Sequence, residues 1–509
     1  MNSSRNILHR LACLMVSVAV LSGCDKKPDP GTGTEEPEFS RYTQDIPYEN
    51  TAKVYKSTYS ILLPEGYGQD LDKRYPVVYM LHGFGESGKD WSSWVNTIQS
   101  MEGNGLQQMI YVFPNCNDSY YCNYYDGKAM YMDMIVNELV PLIDRTYRTI
   151  DDRKHRAVMG YSMGGFGAMV LPLKNPDVFS ISVPLSMSFR TDEQYMTESQ
   201  SGWDSQWGKI FGGRGKSGEE RLTDYYKEHC PFYQFIPENK EVLSQIRWFF
   251  HCGDDEEQLL IANDNLHVQL RDYGYDHEFR ISDGGHTGDY WRTAARETLP
   301  WIQHVMNGGG EWTRIMKDVT IKTAELNDDG SSASDKFKEN PQDGGLAIYF
   351  AHKGFNEELV KNAVGMLSQT GHVFPYMILP CDLDVKPLED WMEDYTGKYG
   401  IGGSPEKSHV IAFGDAGAEA YSLAEQFNAC YYIDADLTDE EESISADAGK
   451  RYYIDQTDNG TNYKDMNALY IACKAAGADF EYRMRNGISD KEKEILLAVQ
   501  SIVSELKYK

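Results

Sequence analysis

The sequence predicts an α/β architecture: a mainly parallel sheet with helices on both faces, followed by a second, degenerate copy of the same plan. Three observations carry this. Short apolar runs without polar alternation, such as "YPVVYMLHGFGES" and "QMIYVFPN", alternate with segments of helical spacing. The pentapeptide Gly160-Tyr161-Ser162-Met163-Gly164 falls where one such run stops and a helix begins. The pattern of the first half then recurs, worn, in the second.

In chain order, "AKVYKSTYSILL" (52–63) has the alternation and β-branched or aromatic content of strands. The two apolar runs quoted above follow as strands buried on both faces. "YMDMIVNELVPLIDRTY" places Ile135, Leu139, Leu142 and Ile143 on one helical stripe. "HRAVMG" reads as a strand and "GGFGAMVLPLKNP" as a helix ending before Pro176. "IRWFFHCG" is a further buried strand, "LLIANDNLHVQLRDYG" a helix closed by Gly274, "HEFRI" a strand and "DYWRTAARETLPWIQHVMNG" the closing helix. Sites in such sheets lie at the carboxyl ends of the strands.

At 509 residues the chain has room for two or three domains, each able to bury a core. An apolar content of 41% and a charged content of 25% are ordinary for a globular protein, and the net charge of −29 argues against nucleic acid as a partner. Oligomeric state is left open.

Around Ser162 the expected constellation is that of nucleophilic acyl chemistry. A tight strand-to-helix turn forces the serine into strained angles, and Gly160 and Gly164 leave the room that a Cβ would block. His286, on the glycine-rich loop "DGGHTGDYW", is the expected base. His82, His155, His251, His267 and His277 are weaker candidates; His82 is expected to brace its loop. The acid falls among Asp254, Asp255, Glu256 and Glu257, and composition does not choose between them. Two backbone amides, of Met163 and of Phe84 in "HGFGE", are the expected oxyanion donors, each worth about 3–4 kcal/mol in the transition state.

The motifs "LHGFGE", "ELVPLIDRTYRTIDDRKHRAVMGYSMGGFGAM", "CGDD" and "DGGHTGDYW" resemble the esterase-D-like α/β-hydrolases, over about residues 46–306. That family includes feruloyl and acetyl-xylan esterases, S-formylglutathione hydrolases, siderophore esterases and mycolyl transferases. The resemblance implies an α/β-hydrolase fold with Ser162 as nucleophile and His286 as base, working without cofactor or metal. It puts the acid three residues after the glycine of "CG". Glu256 stands there where aspartate is usual, and Asp255 lies one residue earlier; Glu256 is favoured because glutamate serves in such triads, with Asp255 kept open. "WSSW" and "NDSYYCNYYDG" fall where the family builds its substrate cleft, making Trp91, Trp94, Tyr120 and Tyr121 candidate sugar or phenol platforms.

The second half aligns with the first. "SHVIAFGDAGAEAYSLAEQF" parallels the stretch around Ser162, setting Gly414 opposite Gly160 and Ala416 opposite Ser162. "RYYIDQTDNGTNYKDMNALYIACKAAGADFEYRMRNGIS" parallels the stretch around the acid and base, setting Asp458 opposite Asp255, Asn459 opposite Glu256 and Ser489 opposite His286. The expectation is an internal duplication whose second copy (344–509) has lost its chemistry and braces the first or holds substrate; 307–343 is the linker and start of that copy.

At the N-terminus, Arg5, His9 and Arg10 precede the apolar run "LACLMVSVAVLSG", too short to span a bilayer and laid out as an export signal (1–23). "LSGC" resembles the lipobox of bacterial lipoproteins, which implies lipidation of Cys24. Residues 24–45 read as a flexible tether before a catalytic domain at 46–306. Setting aside Cys13 and Cys24 leaves seven cysteines, of which Cys116 and Cys122 could pair, and no metal-ligand spacing.

The expected function is a serine carboxylic-ester hydrolase, exported and lipid-anchored to a bacterial membrane (periplasmic or cell-surface). Its expected substrates carry feruloyl or acetyl groups on plant polysaccharide. The alternatives are a siderophore or small-ester hydrolase, an acyltransferase, or a non-catalytic carbohydrate-binding surface lipoprotein.

Overall fold

The unbroken apolar runs become the interior of one large sheet. The structure, a computed structural model, describes residues 40–86, 91–310, 312, 326–341, 345–354, 360–365, 375–437 and 444–486, with the side chain of Glu257 left out. The first half supplies β1 (Tyr42–Pro47), β2 (Thr58–Leu62), β3 (Val77–Leu81), β4 (Ile110–Pro114), β5 (Arg156–Tyr161), β6 (Ile181–Leu185), β7 (Arg247–Gly253) and β8 (Glu278–Ser282), in the order β1-β2-β4-β3-β5-β6-β7-β8. β1 and β2 are antiparallel additions; from β4 to β8 every pairing is parallel. β3, β4, β5 and β6 are buried along their whole length, as strands covered by helices on both faces must be. Among the described residues no helix is long and apolar enough to cross a membrane.

Two local readings are corrected, and two parts of the fold went unread. Residues 52–57 are a turn, not strand: Lys53 and Lys56 have φ of 60° and 56°, and the Asn50 amide donates to the Val54 carbonyl and the Ser57 hydroxyl. The tether stops short of residue 45. Tyr42–Pro47 pairs with β2, and Arg41 anchors the entry by donating to the Leu63 carbonyl and pairing with Glu102. β6 had no sequence signal because Pro184, which lacks an N–H, sits in its middle; the ladder to β7 is registered at Ile181, Ser182 and Leu185. Short helical segments between Asp192 and Leu243, also unread, connect β6 to β7. The helix from Tyr131 to Thr146 widens into a π-turn at Met134–Leu139 just ahead of Pro141, a relief for the missing donor.

The second half repeats the plan. β9 (Ser332–Ala333), β10 (Leu346–His352), β11 (Tyr376–Asp382), β12 (Ser408–Phe413), β13 (Ala429–Ile433), β14 (Arg451–Thr457) and β15 (Asp479–Arg485) lie in the order β9-β11-β10-β12-β13-β14-β15. That is the permutation of β2-β4-β3-β5-β6-β7-β8, including the antiparallel first pair. The halves meet edge to edge, β8 antiparallel to β15, with Ile281 opposite Met484. The helices Glu257–Asp272 and Tyr463–Ala476 pack beside this seam, where the Asn467 amide donates to Asp264 at 2.6 Å. Both pairs join residues 203 positions apart, as a two-fold relation between the halves requires.

The strand ends shift two positions of the sequence alignment. Counting from the ends of β5 and β12, Gly414, not Ala416, takes the place of Ser162; it has φ 51° where Ser162 has 57°. Counting from β7 and β14, Asp458 stands opposite Asp254, not Asp255. Ser489 lies outside the described residues, as do the export signal, Cys24 and residues 311, 313–325, 342 and 343 of the linker.

Asp264 is fully buried at the seam, and burial raises its carboxyl from 3.8 to about 7. The folded chain therefore keeps a proton that the unfolded chain gives up near pH 4. Stability contributed by this group falls as pH rises through that window and levels off above about 8. Asp264→Asn is expected to remove this slope, melting higher than wild type at pH 8 by a margin equivalent to ~1–3 kcal/mol and converging with it near pH 4. Paired thermal melts across that range measure it; parallel curves would show that Asp264 is ionised throughout.

Candidate active site

β5 ends at Tyr161, and Ser162 is the hinge from which the helix Met163–Lys174 departs. Ser162 has φ 57° and ψ −120°, a conformation that costs an L-residue on the order of 1–3 kcal/mol and must be held from outside. It is held on three sides: its amide donates to the Leu185 carbonyl at 3.0 Å, and its carbonyl accepts from Phe166 and Ser188. A Cβ at Gly160 would collide with the Gly164 carbonyl, and one at Gly164 with that of Leu81, so the turn closes only with glycine at both.

The loop after β8 carries His286 to this hinge. His286 Nε2 lies 2.9 Å from Ser162 Oγ, and His286 Nδ1 lies 2.8 Å from Glu256 Oε2. Of the two carboxylates left open by the sequence, Glu256 is the one that meets the imidazole. Its side chain is buried, whereas Asp255 is exposed and touches the loop through its backbone amide, donating to the Gly284 carbonyl at 3.2 Å. The other Glu256 oxygen accepts from the Ser186 hydroxyl and from the Gly253 amide at 3.1 Å. Ser186 in turn accepts from Trp291 Nε1 at 2.8 Å. This arrangement puts the ring proton on Nδ1, toward the carboxylate, and leaves Nε2 free to accept the Ser162 proton. Ser186 and Trp291 were not singled out in the sequence, although Trp291 lies in the quoted motif "DGGHTGDYW".

The loop after β3 closes the other side. A Cβ on Gly83 would lie 3.6 Å from Ser162 Cβ, so this loop runs directly past the hinge. The amides of Met163 and Phe84 have no acceptor among the described residues. His82 braces the loop: it is fully buried, its Nδ1–H donates to the Gly83 carbonyl at 2.8 Å, and its Nε2 accepts from Cys116 at 3.1 Å. Burial pushes its pKa below the usual imidazole range. His251, lowered to about 4 by burial, meets the Tyr290 hydroxyl; His267 and His277 meet each other; His155 pairs with Asp152 at the surface.

The aromatic platforms are corrected. Trp91, Trp94, Tyr120 and Tyr121 are at most 4% exposed and offer no face to a ligand. Tyr120 and Tyr121 take φ of 51° and 59°, which turns both rings inward; the Tyr121 hydroxyl donates to the His82 carbonyl at 3.0 Å. Trp94 stacks on Tyr161, Tyr161 on Trp291, and Trp291 meets His286 edge-on at 4.8 Å, a ladder of rings backing the base loop. The exposed rings nearby are others: Phe84, 43% exposed with Lys209 over its face, and Tyr125, 50% exposed beside Gly212. Cys116 and Cys122 are separate buried thiols.

Residues 55–302 match the model of the Esterase family. The chain is 27% identical over 168 residues to an endo-1,4-beta-xylanase/feruloyl esterase of Xylanibacter ruminicola, spanning 28% of this chain and 22% of that protein. It is 22% identical over 237 residues to an acetyl esterase of Caldicellulosiruptor saccharolyticus, spanning 45% of this chain and 84% of that one. The chain thus spans about a fifth of the first relative's length. Among solved structures, a ferulic acid esterase aligns at 26% identity with a TM-score of 0.43, covering 52% of this chain and 98% of the other.

Proposed function

We propose, from the membership of residues 55–302 in the Esterase family, that this chain hydrolyses carboxylic esters through Ser162, His286 and Glu256. The observation that carries the reading is the unbroken relay Ser162 Oγ–His286 Nε2 (2.9 Å) and His286 Nδ1–Glu256 Oε2 (2.8 Å) at a backbone-strained hinge. As Ser162 Oγ attacks the ester carbonyl, its proton passes to His286 Nε2, and the imidazolium is stabilised by the buried Glu256 carboxylate. The carbonyl oxygen, now negative, is met by the Met163 and Phe84 amides. His286 returns the proton to the departing alkoxide; a water activated by the same imidazole then releases the acid and restores Ser162. The C-terminal half has glycine at the position equivalent to the nucleophile and takes no part in bond making.

For the substrate, the reading is a feruloyl or acetyl ester on polysaccharide met outside the cytoplasm. It is supported by the names of the two relatives, a feruloyl and an acetyl esterase, by the exposed rings of Phe84 and Tyr125, and by an N-terminus laid out as an export signal ending at Cys24, the proposed lipid anchor to a bacterial membrane.

The test is release of ferulate and acetate from feruloylated and acetylated xylan beside p-nitrophenyl acetate. The expected result is turnover of the aryl ester together with release from at least one xylan. Turnover of the aryl ester alone would drop the polysaccharide reading. Turnover of neither by folded protein would drop the esterase reading and favour a carbohydrate-binding surface lipoprotein.

A further inference from the structure

The seam between the halves reaches the reacting residues. Arg483, on β15 of the second half, extends across to β8 and pairs with Asp254. Asp254 is the residue directly after β7 and is 5% exposed. Its Oδ1 accepts the Gly284 amide at 3.1 Å, and its own amide donates to the Ser282 carbonyl at 3.1 Å. Asp255 adds a bond from its amide to the Gly284 carbonyl. The acid turn (254–256) and the base loop (282–286) are thus laced together at their near ends, and their far ends are Glu256 and His286, 2.8 Å apart. The Arg483 guanidinium also lies 3.5 Å from Asp283 and pairs with Glu481 of its own strand.

The contact has a mate. Arg280 of β8 reaches the other way to Asp458, the residue directly after β14. Arg280 and Arg483 are equivalent by the 203-residue offset, and the Asp458 amide donates to the Arg485 carbonyl as that of Asp254 does to Ser282. The two pairs are one contact seen from both sides of the two-fold relation. Only the Asp254 side leads to a Ser–His–Glu relay.

We propose that Arg483 is a positioning residue for the esterase site: by pairing with Asp254 it fixes the Gly284 amide, and so the spacing between Glu256 and His286. On this view the C-terminal half is retained because it completes the other half's base loop. Without Arg483, Asp254 is a buried carboxylate with no cation beside it, two residues from the buried carboxylate on which His286 depends. Such a charge draws in a proton or water, either of which disturbs its bond to Gly284. Burial already lifts Asp254 to about 6 against the pull of Arg483. The inference rests on the esterase reading above.

The experiment compares full-length wild type, Arg483→Met, Arg483→Lys, Arg483→Met/Asp254→Asn and Arg271→Ala. Arg271 bonds the carbonyls of Asp458, Asn459 and Gly460 across the same seam, away from the base loop. With p-nitrophenyl acetate, Arg483→Met is expected to lose ~10–100-fold in kcat with KM within about twofold, the scale of an ångström-sized misplacement. Arg271→Ala should keep its kcat. The double variant should recover part of the loss, because the asparagine side chain that replaces Asp254 still accepts from Gly284 and carries no charge that needs a partner, while its NH₂ now faces the Tyr482 amide that donated to the other Asp254 oxygen at 3.3 Å. An unchanged kcat in Arg483→Met, or an equal loss in Arg271→Ala, would overturn the proposal. Should Arg483→Met fail to melt cooperatively, Arg483→Gln takes its place, and a wild-type kcat there overturns the proposal; Arg483→Lys, which keeps a cation beside Asp254, should retain more of the kcat than either. A readout independent of turnover is the low-field proton resonance of His286 Nδ1–H on Glu256, expected in wild type and shifted or broadened in Arg483→Met. If wild type hydrolyses no ester, the parent reading fails while this resonance still judges the positioning role.

Discussion

Ser162→Ala is expected to lower kcat for p-nitrophenyl acetate by about 10⁴-fold or more, with the melting temperature essentially unchanged. An alanine methyl cannot attack a carbonyl, and every other group at the hinge is left where it was. The Met163 and Phe84 amides and the substrate surface remain, so residual binding and some rate above water should survive. Stability should hold because alanine keeps the Cβ and therefore the cost of the positive φ; what is lost is one partly exposed bond to His286. Ser162→Gly separates the two effects. It should be equally inactive but more stable by about 1 kcal/mol, since glycine accepts φ 57° without strain. Steady-state rates and melts of the three proteins check this. Wild-type turnover in Ser162→Ala would remove Ser162 from the chemistry, and an unstabilised Ser162→Gly would deny that strain is stored at the hinge.

The elbow and the base loop were readable because their chemistry is local: a strand, a glycine-flanked serine and a helix follow one another directly. The acid was favoured as Glu256 by the resemblance alone; composition did not choose it, because four carboxylates stand in a row and the choice among them is made by groups far away in sequence. Ser186 and the Gly253 amide converge on Glu256, while Asp254 is turned the other way to Arg483 and Gly284. The substrate rings were misread for a related reason. Composition supplies a ring without its orientation, and the left-handed backbone at Tyr120 and Tyr121 folds inward what a loop would otherwise expose. β6 was hidden by Pro184, a residue that argues against a central strand. The repeat was visible as aligned apolar pattern, yet its register slipped at both chemical positions. Only hydrogen-bonded strand ends set Gly414 against Ser162 and Asp458 against Asp254. Least legible was the seam. Arg280 and Arg483 look like ordinary solvated charges on edge strands, and their partners lie 178 and 229 residues away.

Glu256→Gln is expected to cost about 10³–10⁴-fold in kcat, whereas Asp255→Asn should change it less than twofold. Glutamine keeps the length of the side chain and can still accept from Ser186 and the Gly253 amide with its carbonyl oxygen. Its NH₂ group then faces His286. A donor opposite Nδ1 drives the ring proton to Nε2, the nitrogen that must be bare to accept the proton of Ser162, and removes the charge that stabilises the imidazolium. Both losses act on kcat with little effect on KM, because neither touches bound substrate. Asp255 has no such leverage: its carboxylate is exposed, and the bond that ties it to the base loop runs from its backbone amide, which asparagine retains. Glu256→Asp gives a third reading. It keeps the charge but withdraws the carboxylate by one methylene, about 1.5 Å, too far to meet both Nδ1 and Ser186, and a loss of ~10–100-fold should follow. The order of kcat is therefore wild type and Asp255→Asn together, then Glu256→Asp, then Glu256→Gln. A fall in Asp255→Asn that matched Glu256→Gln would mean that the turn swings on substrate binding and presents the neighbouring carboxylate instead.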